Sequence, residues 1–398
     1  MATKCTQACG LSKGPPTVNP SELEVLSELT HGRLITTKVQ SNTAPRNITN
    51  LRPEEAIMSG ISIKDRIKRL TASQPLLEQM MFSFYRTKNL SSGLAELERR
   101  AGLSMYDIDS LAREMPYVPL ERVIDNNIYG YANYLKKFAG IEKDLKAYME
   151  HGLFLGKIVH LDQFAWHFPR IITMSQGRVD ILSERIPQKE AIAVGPYIHY
   201  APPLYSPNEM AQLKASLGKT LLVYPFHSMK NVRVGFNENE FVKEIKKVAK
   251  NFDNVLISLY FSDALDKERT APYEAEGFKL VTAGHRFDQH FVARQRAHIE
   301  LSDFTMSNGM GTQTGFCVYL NKPHYIYRQD IEQKPIKPSE SARFYNSSGG
   351  DERELVAFQR DYFSRLFGEL RDDISNEQRE ATSKFWGFDQ VKSKEELQ

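Results

Sequence analysis

Between residues 299 and 327 the chain places hydroxyls, a carboxamide and two glycines in the order a phosphate site requires. Ser307-Asn308-Gly309-Met310-Gly311-Thr312 follows the short apolar run Phe304-Thr305-Met306 and precedes a helical pattern over 314–320. Glycines at 309 and 311 let the backbone approach a ligand closely and take positive φ. The unpaired N–H groups of a helix's first turn, with the positive end of its dipole, face an anion there, and Ser307, Asn308 and Thr312 add side-chain donors. This chemistry is the binding of a phosphate-bearing small molecule. An ordinary strand-to-helix turn that uses glycine for geometry alone would carry the same residues.

The same ending recurs upstream. Apolar runs at 221–223, 255–257 and 280–281 alternate with helical patterns near 240–250, 272–277 and 290–301. That alternation predicts a doubly wound parallel sheet. Pro225, His227 and Ser228 follow the first run, Ser262 and Asp263 the second, and Gly284, His285, Arg286 and Asp288 the third. Ligands of open α/β sheets bind outside the carboxyl ends of the strands, so these groups are expected to converge on one crevice. His227 and Ser228 are candidates to touch phosphate or sugar. Arg286 and Asp288 either bind a donor sugar or pair with each other.

The elements that position these residues divide into two halves. Helical spacing is read at 63–70, 76–85, 94–100, 105–113 and 120–138. Short strands then run into His151-Gly152, Ser175-Gln176-Gly177 and Gly195-Pro196, with a helix at 179–185, which implies a second α/β layer. The run Pro202-Pro203-Leu204-Tyr205-Ser206-Pro207 resists helix and sheet and reads as the division. The expected organisation is a mobile tail over 1–50, a helical plus α/β half over 51–205, a second α/β half over 206–345, and C-terminal helices over 346–398 that pack back across both. The fold class is α/β, with two Rossmann-like domains facing across a cleft.

Composition narrows the function. The chain has 398 residues, a formal net charge of +3, 41% hydrophobic and 25% charged residues, enough for two cores. So balanced a charge argues against nucleic-acid binding as the main task. No apolar run reaches the ~20 residues of a membrane span, and the N-terminus lacks a signal-peptide core, so a cytoplasmic protein is expected. Three cysteines build no disulfide framework: Cys317 falls on an apolar helix face, and Cys5 and Cys9 lack a second pair for zinc. No metal and no cofactor are expected.

Ser302-Asp303-Phe304-Thr305-Met306-Ser307-Asn308, with its glycine turn, helix and Asn321-Lys322-Pro323-His324-Tyr325-Ile326, resembles the nucleotide-binding segment of bacterial cell-surface glycan transferases of the GT-B type. Related arrangements belong to CDP-glycerol-type polymerases and to sialyl- and Kdo-type transferases. His151-Gly152 is similar to the His-Gly motif of the same polymerases, where the histidine is a catalytic candidate. Asn308 stands where the usual pair has its second serine. The resemblance covers the organisation of about 148–326 and implies a metal-independent transferase. Its donor is a nucleotide-sugar, with a cytidine nucleotide favoured, and its acceptor is a glycan or lipid-linked molecule of surface polysaccharide or lipopolysaccharide synthesis.

The residues themselves suit that chemistry. Fixed donors at Ser307, Gly309, Gly311, Thr312 and His285 would stabilise charge on a departing nucleotide phosphate. His151 is the candidate base for an inverting mechanism, its alternative a backbone-bonded histidine at a strand end. Retention of configuration would instead use Asp263, Asp288 or Glu150 as nucleophile. The competing readings are a CDP-polyol phosphotransferase or nucleotide-sugar epimerase on the same plan, and a non-catalytic nucleotide-binding scaffold. A peripheral membrane contact through Lys64, Arg66, Lys68 and Arg69 is the last expectation.

Overall fold

A computed structural model describes residues 67, 70–159, 163, 166–228, 232–335 and 350–398. Expectations for Cys5, Cys9, the first 50 residues, most of 63–70 and nearly all of 339–350 fall outside that set. α1 (Pro75–Ala101) is one helix of 27 residues where the periodicity suggested two. Its polar middle interrupts the apolar pattern without stopping the helix, and Gly93 within it gives room to Val118, whose Cγ2 would lie 2.6 Å from an added Cβ. α2 (Ile108–Ala112) is capped by Asp107. The stretch at 120–138 is not one helix: a 3-10 turn at Ile124–Asn127 and α3 (Tyr131–Ala139) are separated by Tyr129 at φ 61° and Gly130 at φ 73°. Left-handed residues cannot continue a right-handed helix.

β1 (Ala147–Met149), β2 (Arg170–Thr173) and, after α4 (Gln176–Arg185), β3 (Glu190–Ala193) form a parallel sheet in the order β1-β2-β3. The proline-rich segment then opens α5 (Pro207–Leu217), with Pro207 in its first turn and a Ser206/Glu209 capping box. Prolines that argue against regular structure also suit a helix start.

The C-terminal half runs β4 (Thr220–Tyr224), β5 (Val232–Gly235), α6 (Glu238–Val248), β6 (Asn254–Ser258), α7 (Phe261–Ala264), α8 (Lys267–Glu274), β7 (Lys279–Val281), α9 (Phe291–Leu301), β8 (Phe304–Ser307), α10 (Thr312–Tyr319), β9 (His324–Ile326) and β10 (Glu332–Pro335). Five of its strands make a parallel sheet in the order β7-β6-β4-β8-β9. β5 and β10 pair antiparallel beside it. The fold is thus α/β with two parallel sheets.

Successive residues of β4 serve opposite faces, as the two-residue period of a strand requires. Leu221 and Val223 join Phe241, Ile245 and Tyr273 in one apolar cluster. Leu222 and Tyr224 join Val292, Ile299 and Phe316 in another, which continues into Met149, Ile172 and Val194 of the three-stranded sheet. The two sheets therefore share an apolar core. Burying each leucine or isoleucine there contributes about 1.5–3 kcal/mol.

α11 (Gly350–Leu366), α12 (Asn376–Trp386) and α13 (Lys394–Leu397) end the chain. α12 packs on both α10 and α4. Its Trp386 is buried and donates through Nε1 to the Thr312 carbonyl at 2.9 Å. Gly315 lies flat beneath that indole, where a Cβ would collide with the ring. No helix among the described residues is long and apolar enough to cross a membrane.

Candidate functional site

β4 lies between β6 and β8, so strand order reverses there, and the carboxyl ends of β4 and β8 mark the crevice position at which open α/β sheets bind ligands. Asn308 spans it: Oδ1 accepts from the Phe226 amide at 2.7 Å and Nδ2 donates to Gln329 Oε1 at 3.2 Å. Ser307 is turned inward, its Oγ donating to the Gly309 carbonyl at 2.9 Å and lying 3.0 Å from His324 Nε2. Both are buried. Two of the three side chains read as phosphate donors, Ser307 and Asn308, therefore build the turn. The positive φ expected at Gly309 and Gly311 is also absent; Gly311 is extended, at φ −153°. What both positions require is space. A Cβ at 309 would stand 2.6 Å from the Phe226 ring, and one at 311 would strike the carboxamide of Gln313.

The polar groups left for a ligand are the backbone donors of α10. Thr312 and Gln313 occupy its first two positions, where an N–H has no intrahelical acceptor, and both are partly exposed. The Gln313 carboxamide folds back over Gly311 and adds a further polar group. Thr312 uses its hydroxyl differently, accepting from the Leu153 amide at 3.0 Å. Gly152 sits directly against it, 3.2 Å from Thr312 Oγ1 to an added Cβ. The exit of β1, with His151, is thereby brought to the N-terminus of α10.

His151 is partly exposed, and its buried Nδ1 has no hydrogen-bond partner among the described residues. The residue before it is fixed firmly. Glu150 is 1% exposed and receives Arg178 Nη2 at 2.6 Å and Thr173 Oγ1 at 2.7 Å, with Gln163 Nε2 also on its carboxylate. Arg178 in turn lies over the Phe154 ring, 4.9 Å from its centroid. Glu150 is thus an anchor for the strand exit, and its lone pairs are taken.

The loops after β4, β6 and β7 form the other wall. The exposed His227 ring stacks on Tyr260 at 4.5 Å, and the Tyr260 hydroxyl meets that of Tyr129 at 3.2 Å. Burial pushes both phenols up, so both stay protonated. Asp263 Oδ2 accepts from the Ser228 amide at 2.9 Å and so braces the β4 loop. Arg286 lies over Phe287, and its buried Nε has no partner among the described residues. It does not pair with Asp288, which is buried and bonded to Arg294 Nη1 at 2.8 Å, with Arg100 Nη1 3.9 Å away. The His285 ring is engaged within its own loop and with the N-terminal half, its Nδ1 accepting from the Phe287 amide at 3.2 Å and its Nε2 lying 3.0 Å from the Glu114 carboxylate. Burial brings its imidazole down to about 4 against the pull of Glu114, so it is neutral at pH 7 and supplies no positive charge.

Sequence reasoning missed Tyr129, Tyr260 and Gln313. Tyr260 had a signal, since it lies in the exit that follows the apolar run at 255–257, two residues before Ser262. Tyr129 had none, being brought in from the N-terminal half. A separate groove of about 420 Å³ is lined by Gly102, Tyr106, Tyr205, Glu209 and Leu213. Its one carboxylate serves the α5 capping box, so the chemistry-bearing groups remain those of the crevice.

No family model matches this chain, and no curated protein sequence matches it. Among solved structures, the UDP-GlcNAc 2-epimerase of Neisseria meningitidis, bound to UDP-GlcNAc, is similar at 12% identity over 68% of this chain and 81% of that one, with a TM-score of 0.33. MnaA of S. aureus with UDP is similar at 10% identity, 64% and 76% coverage and a TM-score of 0.34. The wall teichoic acid polymerase TagF follows at 12% identity, 63% and 61% coverage and 0.30. Likenesses this distant say nothing of the reaction, which rests on this chain's own residues.

Proposed function

We propose that this protein is a GT-B-type glycosyltransferase that moves a sugar from a nucleotide-sugar to a hydroxyl of a glycan or lipid-linked acceptor. The observation that carries the reading is the meeting of His151 and Gly152 with the N-terminal turn of α10, through Leu153 and Thr312. One side offers donors for an anion and the other a histidine able to accept a proton. In this reading residues 206–345 hold the donor, 51–205 face the acceptor, and 346–398 pack across them. A cytidine nucleotide is the leading donor, from the resemblance of the turn, and the cytoplasm or the inner face of its membrane is the place of action.

Charge that develops on the leaving phosphate is met by the N–H groups of Thr312 and Gln313 and by the positive end of the α10 dipole. His227 on Tyr260 and the cation of Arg286 line the donor side. His151 takes the proton of the acceptor hydroxyl as that oxygen attacks. Every carboxylate considered as a nucleophile is engaged: Glu150 by Arg178, Asp263 by the Ser228 amide, Asp288 by Arg294. This favours direct displacement with inversion.

Thermal unfolding against CMP, CDP, UDP, GDP and ADP tests the binding half. A nucleotide at ~100 times its dissociation constant should stabilise the fold by ~2.7 kcal/mol. Folded protein that shifts with none of them sinks the reading. The chemical half is tested with His151→Ala, expected to keep the nucleotide shift and lose transfer. A product with a new glycosidic bond supports transfer, whereas a donor merely epimerised, or a polyol phosphate moved, replaces it with those reactions.

A further inference from the structure

The outward face of α1 carries an apolar stripe that no described residue covers. Leu76, Met80 and Phe84 are 77%, 69% and 62% exposed and form one row at four-residue spacing. Leu77, Met81 and Tyr85, also exposed, form the row beside it. The helix is held by its opposite face. Glu78 is buried against Arg122, Gly93 receives Val118, and Arg100 donates to the Leu111 and Arg113 carbonyls at 2.7 and 2.8 Å. A contiguous exposed patch of this kind marks a docking surface.

Charge says what docks. Over residues 64–93 the sequence holds Lys64, Arg66, Lys68, Arg69, Arg86 and Lys88 against only Asp65 and Glu78, and Glu78 is neutralised by Arg122. Cations thus precede the stripe in sequence and follow it at Arg86 and Lys88, both exposed. A second copy laid on the stripe, in either direction, would set cations against cations. An anionic bilayer surface would accept both the apolar side chains and the flanking charge. We infer that α1 lies in the interface of an anionic lipid membrane, its Leu76–Met80–Phe84 row among the acyl chains and Arg86 and Lys88 at the headgroups.

The contact reaches the crevice. In the last turn of α1 the Arg100 carbonyl accepts from Arg294 at 2.8 Å, and Arg294 holds Asp288 in the loop after β7. A helix seated on lipid would therefore present the site at a fixed height above it. The inference concerns the surface of α1 and stands whether or not the transfer reaction does.

The test is co-sedimentation of the full chain with vesicles of phosphatidylcholine alone and of phosphatidylcholine mixed with phosphatidylglycerol, at low and high salt. The chain should bind the mixed vesicles, at least ~10-fold more weakly without the anionic lipid or at high salt. Met80→Glu with Phe84→Glu should lower binding by a similar factor, as should Arg86→Glu with Lys88→Glu. All four side chains are exposed, so unchanged melting temperatures will confirm folding. No binding by the wild-type chain overturns the inference. So does a doubled mass in light scattering that M80E/F84E abolishes without any vesicle binding, which would assign the stripe to a second copy.

Discussion

The amide of Leu153 donates to Thr312 Oγ1 at 3.0 Å and so ties two residues 159 positions apart, one at the exit of the three-stranded sheet and one in the first turn of α10. Among the described residues nothing accepts from the Thr312 or Gln313 amide, and the bond fixes their distance from His151. On the other side of the same turn, Trp386 Nε1 donates to the Thr312 carbonyl. Thr312 is therefore gripped by the N-terminal half through Leu153 and by the C-terminal helices through Trp386, and the geometry of the proposed site depends on it.

Replacing Thr312 by valine keeps the shape and removes the acceptor, leaving the Leu153 amide without its partner. The expected loss is about 1–3 kcal/mol. Weaker nucleotide stabilisation is expected as well, with Thr312→Ser restoring both. Chemical denaturation with and without nucleotide checks this; T312V matching the wild type in both would show the bond to be incidental.

Asn308 and Ser307 are predicted to act on stability first. Asn308→Ala strips the Phe226 amide of its acceptor at the β4–β8 crevice and should cost about 1–3 kcal/mol. Ser307→Ala, whose hydroxyl is spent on Gly309 and His324, should lower the melting temperature while leaving nucleotide affinity within a few-fold. Isothermal titration on the folded variants separates the two effects, and a complete loss of binding in a stable S307A would return the serine to the ligand.

Asp288 is the counter-charge for Arg294 in a buried setting. Asp288→Ala leaves that guanidinium uncompensated and should destabilise by about 3–5 kcal/mol. Arg286→Ala should cost little stability, since its guanidinium holds no carboxylate among the described residues, but should weaken nucleotide-sugar binding. Paired denaturation and binding measurements on the two variants would refute the assignment if their effects were reversed.

Acid should unfold this protein through its buried imidazoles. Burial brings His324 and His298 down to about 3 and His285 to about 4, from an ordinary value of 6.5. The unfolded chain binds more protons than the folded one between those values, so stability is full above pH 6.5 and falls as pH drops toward 4. Each such histidine adds up to ~1.4 kcal/mol per pH unit in that window. Melting curves from pH 7.5 to 4.5 measure the slope, and His298→Leu, whose ring nitrogens lack partners, should flatten it. A wild-type slope unchanged by H298L would sink this account.

Alternation of apolar runs with helical patterns was enough to determine the parallel α/β class, because strand and helix periods are local properties of the chain. It placed β1 to β4 and β6 to β8 within a residue or two, missed β5 and β10, and located the turn at 307–312 from its glycines. Local pattern could not resolve 120–138, where Tyr129 takes a left-handed backbone and its N–H bonds the Arg286 carbonyl, 157 residues on, at 2.7 Å. Nor could it assign the polar residues at the strand ends. Ser307, Asn308, Asp263 and Asp288 look like ligand contacts in sequence, yet each is spent on another residue of the protein, Asn308 and Asp263 on amides far back in the chain and Ser307 and Asp288 on partners nearer by, since a buried polar group must find a partner wherever packing places one. The sequence by itself determined the elements and the residues available at their ends. The tertiary structure decided which of those residues remain free, because only packing sets which donors and acceptors come within 3 Å of one another.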